Sequence, residues 1–594
     1  LMDAEVAGSS EDFGVSFSSN SSVMSGLYSG SSDVTVISSN SGLNDGLAHV
    51  AFTARSISGT GTIDVSVDES SIVSASNTGT IARTTSRITI GSIQTNANYF
   101  TGKIPEVIAF DQVVNTAQRI IINNYLSAKY NSTLTANDFY NEDDNGDFDH
   151  DVAGIGQASD GTNHQDSQGT GIIRINTPSD LGNDEYLFWG RNNKNPLTIT
   201  TSAVYTERLS ANWRVSKRND LGTVTVDVDL TGIDISGKQS CAPLKLVVDN
   251  DSDLASPTST YDLTNITGNI YRATGVTFAD NDYFTIEYVD QIVVDGTQFY
   301  NGSGTANVPN TSDSCFKLLV KNTADGTLSL TENADVKELE VETGGKLVVD
   351  SGTRLQVTDG ITLNGEIRLI GTSQLIQTHS GVKQVTGTGN LYKDREGILV
   401  NVYQSGYWTS PVTTNGTIFT IQGVMKDGTI PTSVTSTPQN ITFTDVNTHD
   451  GDFATDPVTV SGRWLAKLIN AVDWTRQINP TSETFNPGEG WNMKSTGNPT
   501  GQNYTFSGIP NDGTYTSTIE SGRLSLLGNP YPSALNADQF IADNTSAITG
   551  TLYFYEAGND TSHNRESYTG GYGTRVLGVG TPASGSSKTP GQYI

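Results

Sequence analysis

Three acidic phrases contain the residues of this sequence best suited to chemistry. In the first, Asp143, Asp144, Asn145, Asp147, Asp149 and Asp151 surround Gly146 at largely alternate positions. Alternate residues of an extended loop turn their oxygens to one side, and calcium takes about six to eight such oxygens. Asp143, Asn145, Asp147, Asp149 and Asp151 are therefore candidate calcium ligands, with Gly146 at the bend. No Glu stands at the twelfth position, so the loop is not an EF-hand. A second phrase, Asp249, Asp251 and Asp253, repeats the alternate spacing. His449-Asp450-Gly451-Asp452 with Asp456 is a third, looser version. A solvated turn is the competing reading of all three, because Asn and Asp are common between strands. A cation tenfold above its dissociation constant contributes about 1.4 kcal/mol, enough to order a domain junction and too little to imply catalysis.

Other chemistries have less support. The six histidines, His49, His150, His164, His379, His449 and His563, are scattered without zinc-ligand spacing. A Ser-His-Asp triad assembles from distant parts of a chain, but no Gly-x-Ser-x-Gly elbow stands between a strand and a helix here. Glycoside hydrolysis needs two acids facing one cleft, and the nearest phrase is Asp64-Val65-Ser66-Val67-Asp68-Glu69. It lacks the Glu-x-Asp-x-Glu and Glu-x-Asp-x-x-Glu patterns of jelly-roll hydrolases, so no catalytic residues are assigned. Sugar binding without hydrolysis is the stronger alternative, with Tyr99, Phe100 and Tyr140 as stacking candidates.

The elements that must position these loops are strands. Charged residues make up 16% of the 594, Gly numbers 61, and Ser, Thr, Asn and Asp abound, a composition that suits short strands joined by turns. The expected fold class is all-β: tandem jelly-roll sandwiches, a short β-solenoid connector and a β-rich carboxy-terminal domain, with one short helix. The net charge of −30 repels nucleic acid and anionic membrane surfaces and makes cations the natural small partners. Two cysteines, Cys241 and Cys315, allow one bridge or two separate core thiols. No apolar run approaches the ~20 residues of a membrane span, so direct membrane insertion is not expected. Leu1-Met2-Asp3-Ala4-Glu5 does not form a signal peptide, and targeting segments are expected outside this excerpt.

Taken in order, residues 1–138 read as a first sandwich closed by a helix over 116–130, whose Ile121, Tyr125 and Leu126 form a stripe expected to pack on it. Residues 139–290 read as a second sandwich opened by the acidic loop. In 291–390, Leu339, Leu347, Leu355 and Leu363 recur every eight residues, as do Gly344, Gly352 and Gly360. This predicts a short solenoid in which each octad stacks on the next, Leu on Leu and Val on Val. The solenoid is expected to act as a connector, so that a polar residue at Leu347 or Leu355 uncouples the two halves. Residues 391–594 read as a β-rich domain ahead of a sorting domain that is not present.

Several phrases carry a resemblance. Tyr99 to Phe110 and Ile63 to Asp68 resemble strands of laminin-G-like, concanavalin A-type jelly rolls. A helix followed by Asp147-Phe148-Asp149-His150-Asp151-Val152-Ala153-Gly154-Ile155-Gly156 resembles the surface proteins of gliding and other Bacteroidota. Pro487 to Lys494 and Leu526 to Leu535 resemble phrases found before the sorting domain of proteins exported by the type IX secretion system. The resemblance implies an adhesin-like structural protein that displays binding surfaces, extracellular and associated with the outer membrane after export. Its implied partners are cell-surface, secretion or gliding-motility machinery proteins, or surface glycans bound through the laminin-G-like domain.

Overall fold

The structure is a computed structural model that describes all residues except 5–10, 30–32, 56–60, 78–87, 94–96, 141–145, 323–327, 429–436, 470–472, 585 and 587–594. The protein is all-β, and its chain divides into two compact units: residues 1–202, 206–238 and 242–288, and residues 203–205, 239–241 and 289–594.

The first unit holds two sandwiches. In the amino-terminal one, a five-stranded antiparallel sheet of Met2–Asp3, Glu11–Phe17, Val23–Ser29, Asp33–Ile37 and Thr89–Ile90 faces a three-stranded sheet of Ala51–Arg55, Gly61–Val67 and Val73–Asn77. Alternation puts Phe13, Val15, Val23, Leu27 and Val36 of one sheet against Ile63, Val65 and Val67 of the other. In the second sandwich, the strand Ser259–Thr267 pairs with Leu244–Asp249 on one side and with Ile270–Val276 on the other, so one strand serves both layers. Its core includes Trp189, Trp213, Leu246, Val248 and Phe284, facing Ile173, Ile175, Val224, Val226 and Val228.

The helix Thr116–Tyr130 opens on a capping box, with Asn115 and Gln118 exchanging side-chain and backbone bonds, and stops at Asn131 in the left-handed conformation, φ 50°. Its apolar residues Ala117, Ile120, Ile121 and Ala128 pack on Val152, Ala158, Tyr186 and Phe188 of the second sandwich. Tyr125 and Leu126 are only half-buried. The stripe expected to cover the first sandwich therefore serves the second. The polar side of the helix serves the first: Arg119 and Asn123 donate to the buried Glu69 carboxylate, and Asn137 donates to its other oxygen at 3.0 Å. A carboxylate that is 4% exposed demands such partners. Gly156 is required where the helix-bearing layer closes, because a Cβ there would strike the buried Tyr186 ring.

The second unit begins with a three-sided parallel solenoid. Its sides are the strands Gln291–Asp295, Lys317–Val320, Glu338–Val341, Ile361–Leu363 and Val385–Thr386; Ser329–Leu330, Lys346–Val349, Glu366–Leu369 and Asn390–Glu396; and Ala334–Val336, Arg354–Val357 and Gln374–Gln377. Leu339 stacks on Ile361, Leu347 on Ile367 and Leu355 on Leu375. Successive octads thus do not stack on one another. Each octad is one side of a coil and its corner, and three sides close before the chain stacks on itself. Gly344 and Gly352, both at φ 86°, make two of the left-handed corners. The last coil does not end the unit, because Asn390–Glu396 continues as an antiparallel partner of Asn503–Pro510 in the carboxy-terminal region.

Candidate metal centre

The strand Leu244–Asp249 lies antiparallel to Tyr283–Tyr288, with Asp249 opposite Tyr283. Beyond it the chain turns through Asn250 to Ala255, and the turn is held on every side. Asp251 Oδ1 accepts from the backbone N–H of Asp253 at 3.1 Å and of Leu254 at 3.3 Å, and Asp253 Oδ1 accepts from Ala255 N–H at 2.7 Å. Asn212 Nδ2 donates to the Ser252 carbonyl at 2.8 Å. Arg208 donates to the Asp253 and Leu254 carbonyls at 3.0 and 2.8 Å while paired with Glu287. Leu254 has φ 53° and is completely buried, packed with Phe148, Val247 and Tyr283. A Leu in the left-handed region is unfavourable by itself, so burial of its side chain holds the bend.

Within this loop Asp249, Asp251 and Asp253 each bring one carboxylate oxygen within 4.8 Å of the others. Asp251 and Asp253 are exposed, whereas Asp249 is 2% exposed. Asp249 Oδ1 accepts from Asn250 N–H at 2.8 Å, but its Oδ2 is buried with no hydrogen-bond partner. The Asp253 carboxylate raises the Asp251 pKa, and the Ala255 N–H lowers that of Asp253. A set of carboxylate oxygens without nitrogen or sulfur is suited to hard cations.

The first acidic phrase is divided by the structure. Asp143, Asp144 and Asn145 lie outside the described residues. Asp147, Asp149 and His150 bring one ligand atom each within 4.8 Å. Burial and the neighbouring Asp147 carboxylate push the Asp149 carboxyl up to about 6, and its Oδ1 is buried without a partner. Asp151 is not in this group. It has φ 56°, and its two oxygens accept from Arg191 Nε and Thr170 Oγ1, both at 2.8 Å. Phe148 packs on Tyr283 at 5.5 Å between ring centroids, so both acidic loops border one apolar cluster.

The other predicted residues are engaged elsewhere. Asp450 binds His563 Nε2 at 2.7 Å, Asp452 caps Ala454 N–H at 2.8 Å, and Asp456 accepts from Gln439 at 3.0 Å, so the third phrase does not converge. Asp64 accepts from Thr62, Asp68 holds His49 and the Val50 N–H, and Glu69 is paired with Arg119. Tyr140 is 2% exposed and donates to the Phe148 carbonyl at 2.7 Å, and Phe100 stacks on Phe17, whereas Tyr99 is 70% exposed.

Two groups escaped the sequence reading. His150 joins the first acidic loop from a position that looked like one of six scattered histidines; its place inside an Asp-His-Asp run was the available signal. In the second unit Lys494, 3% exposed, lies 2.9 Å from His563 Nδ1 and over the Trp464 and Tyr568 rings, and burial pushes it down to about 8. No local signal marks that pair, since its members are 69 residues apart.

Residues 118–282 match a family model described as Domain of unknown function (DUF8202), and residues 301–577 match a second, Domain of unknown function (DUF8693). The chain is similar to these two families in those segments. The first match spans the helix together with the second sandwich on which its apolar face packs. No curated protein and no solved structure matches the chain.

Proposed function

We propose that this chain belongs to an exported, cell-surface structural protein of the type IX-secreted kind, whose β-domains display binding surfaces to other surface components. The observation that carries the reading is the disulfide between Cys241 and Cys315, whose Cα atoms are 6.2 Å apart. Such bridges persist in oxidising compartments outside the cytoplasm. The acidic, Ser- and Thr-rich composition and the close-packed sandwiches support the same reading, and calcium at the Asp147 loop would order the start of the second sandwich. The test is labelling of intact cells with a membrane-impermeant amine reagent. Exposed lysines such as Lys103 and Lys194 become labelled in whole cells under this reading, and labelling only after lysis would contradict it.

Glycan binding is a second reading, and a different set of aromatics favours it from that expected in the first sandwich. In the second unit Trp474 stacks on Tyr407 at 5.7 Å, Tyr407 meets Tyr555 at 5.3 Å, and Tyr555 meets Tyr572 at 5.4 Å. Tyr553 and Tyr572 are more than half exposed on the same small sheet. Exposed phenol rings, each carrying a hydroxyl at its edge, suit the mixed apolar and polar faces of sugars. Retention of the full chain on neutral polysaccharides, weakened by Tyr572→Ala, is the expected outcome.

A further inference from the structure

We propose that the loop after the strand Leu244–Asp249 is a calcium site built by Asp249, Asp251 and Asp253. The observation that points to a ligand is Asp249 Oδ2: the residue is 2% exposed, and this oxygen has no hydrogen-bond donor. A buried acceptor of that kind costs free energy unless something fills its coordination. Asp251 and Asp253 each bring a carboxylate oxygen within 4.8 Å of one from Asp249, and three acceptor groups of negative charge so close together favour a cation among them.

Three further features agree on the ion. Asp249, Asp251 and Asp253 hold the relative positions one, three and five of an EF-hand loop. The sixth position of such a loop needs a sharp turn, ordinarily supplied by Gly; here it is Leu254, already at φ 53°. The seventh position, whose backbone carbonyl is a ligand in an EF-hand, is Ala255. The bidentate Glu of the twelfth position is missing, Thr260 standing there, so waters complete the shell and affinity falls in the weak extracellular range of about 10⁻⁴–10⁻³ M. Magnesium, which holds to strict octahedral geometry and dehydrates reluctantly, fits this loop less well.

Arg208 and Asn212 hold three consecutive carbonyls of the turn without touching the three carboxylates, so the loop is shaped before any ion arrives. The inference rests on the proposed function only for the calcium-rich surroundings that export supplies, and its test does not depend on location.

The full chain is titrated with calcium chloride by calorimetry and melted with and without calcium, as wild type, Asp249→Asn, Asp253→Asn and Asp149→Asn. Each Asn retains an Oδ1 for the backbone cap, and Asp253 is exposed, so its substitution tests binding without threatening the fold. Wild type is expected to bind calcium and to melt higher in its presence, with magnesium weaker. Asp249→Asn and Asp253→Asn are expected to weaken this site about tenfold or more while Asp149→Asn leaves it unchanged. In chelator Asp249→Asn should melt no lower than wild type. Calcium affinity and stoichiometry left unchanged by both Asp249→Asn and Asp253→Asn, loss of all calcium binding with Asp149→Asn alone, or no binding by wild type at about 10 mM overturns the assignment. Surface labelling would still decide the export reading in each of those cases.

Discussion

At the scale of single residues, the sharpest consequences come from carboxylates that have been given, or denied, partners. His49 lies between two of them, with Nδ1 2.7 Å from Asp68 Oδ2 and Nε2 3.0 Å from Asp45 Oδ1. Burial pulls its pKa down, but the two carboxylates outweigh burial and raise it above the ordinary 6.5. The protonated imidazole is therefore favoured in the folded state, and its contribution is fully present below pH 6.5 and lost as pH rises through the folded pKa. His49→Gln should lower the stability of the first unit by about 1 kcal/mol at pH 5.5, and by progressively less above neutrality. Melting curves across that range check it; a pH-independent loss would contradict the ion-pair account. The acidic spacing at residues 249–253 was legible in the sequence, but the burial of Asp249 was not. Alternate Asp residues look alike whether the first ends a core strand or floats in solvent, and only the pairing of Asp249 with Tyr283 decides it. Likewise nothing local told Asp151, claimed by Arg191, from its neighbour Asp149.

At the scale of elements, two features set the stability of their regions. Arg119 and Glu69 are 8% and 4% exposed, and the pair is the helix's hold on the first sandwich. Arg119→Met leaves Glu69 buried without its cation and should cost roughly 3–5 kcal/mol, measured by chemical denaturation of the first unit. A cost under about 1 kcal/mol would mean the helix does not depend on the pair. The helix itself was legible from its cap and periodicity, but its orientation was not, because the residues turned toward Glu69 include Arg119 and Asn123, which a hydropathy stripe assigns to solvent. In the solenoid, the eight-residue spacing correctly marks strand and corner. Which strand stacks on which depends on how many sides close a coil, a property of the corners that spacing alone does not encode. Leu355, fully buried between Ala334 and Leu375, is a direct probe. Leu355→Ala should destabilise the second unit by about 2–5 kcal/mol and leave the melting of the first unit unchanged.

At the scale of the whole molecule, polar residues form turns, caps and paired carboxylates, and aromatic and aliphatic residues fill the sandwich and solenoid cores. Composition was enough to predict the all-β class. The bridge was not, since two cysteines 74 residues apart carry no framework pattern. Closing that loop contributes roughly 4 kcal/mol in the chain-entropy picture, so Cys241→Ser with Cys315→Ser should lower the stability of the second unit by about 2–4 kcal/mol. The bridge also bears most directly on the proposal that this is an exported surface protein. Peptide mapping of the unreduced protein, isolated from its native cells with thiols blocked at lysis, is the decisive measurement. The account predicts a single species in which the peptides of Cys241 and Cys315 are cross-linked. Recovery of both cysteines as free thiols would contradict it.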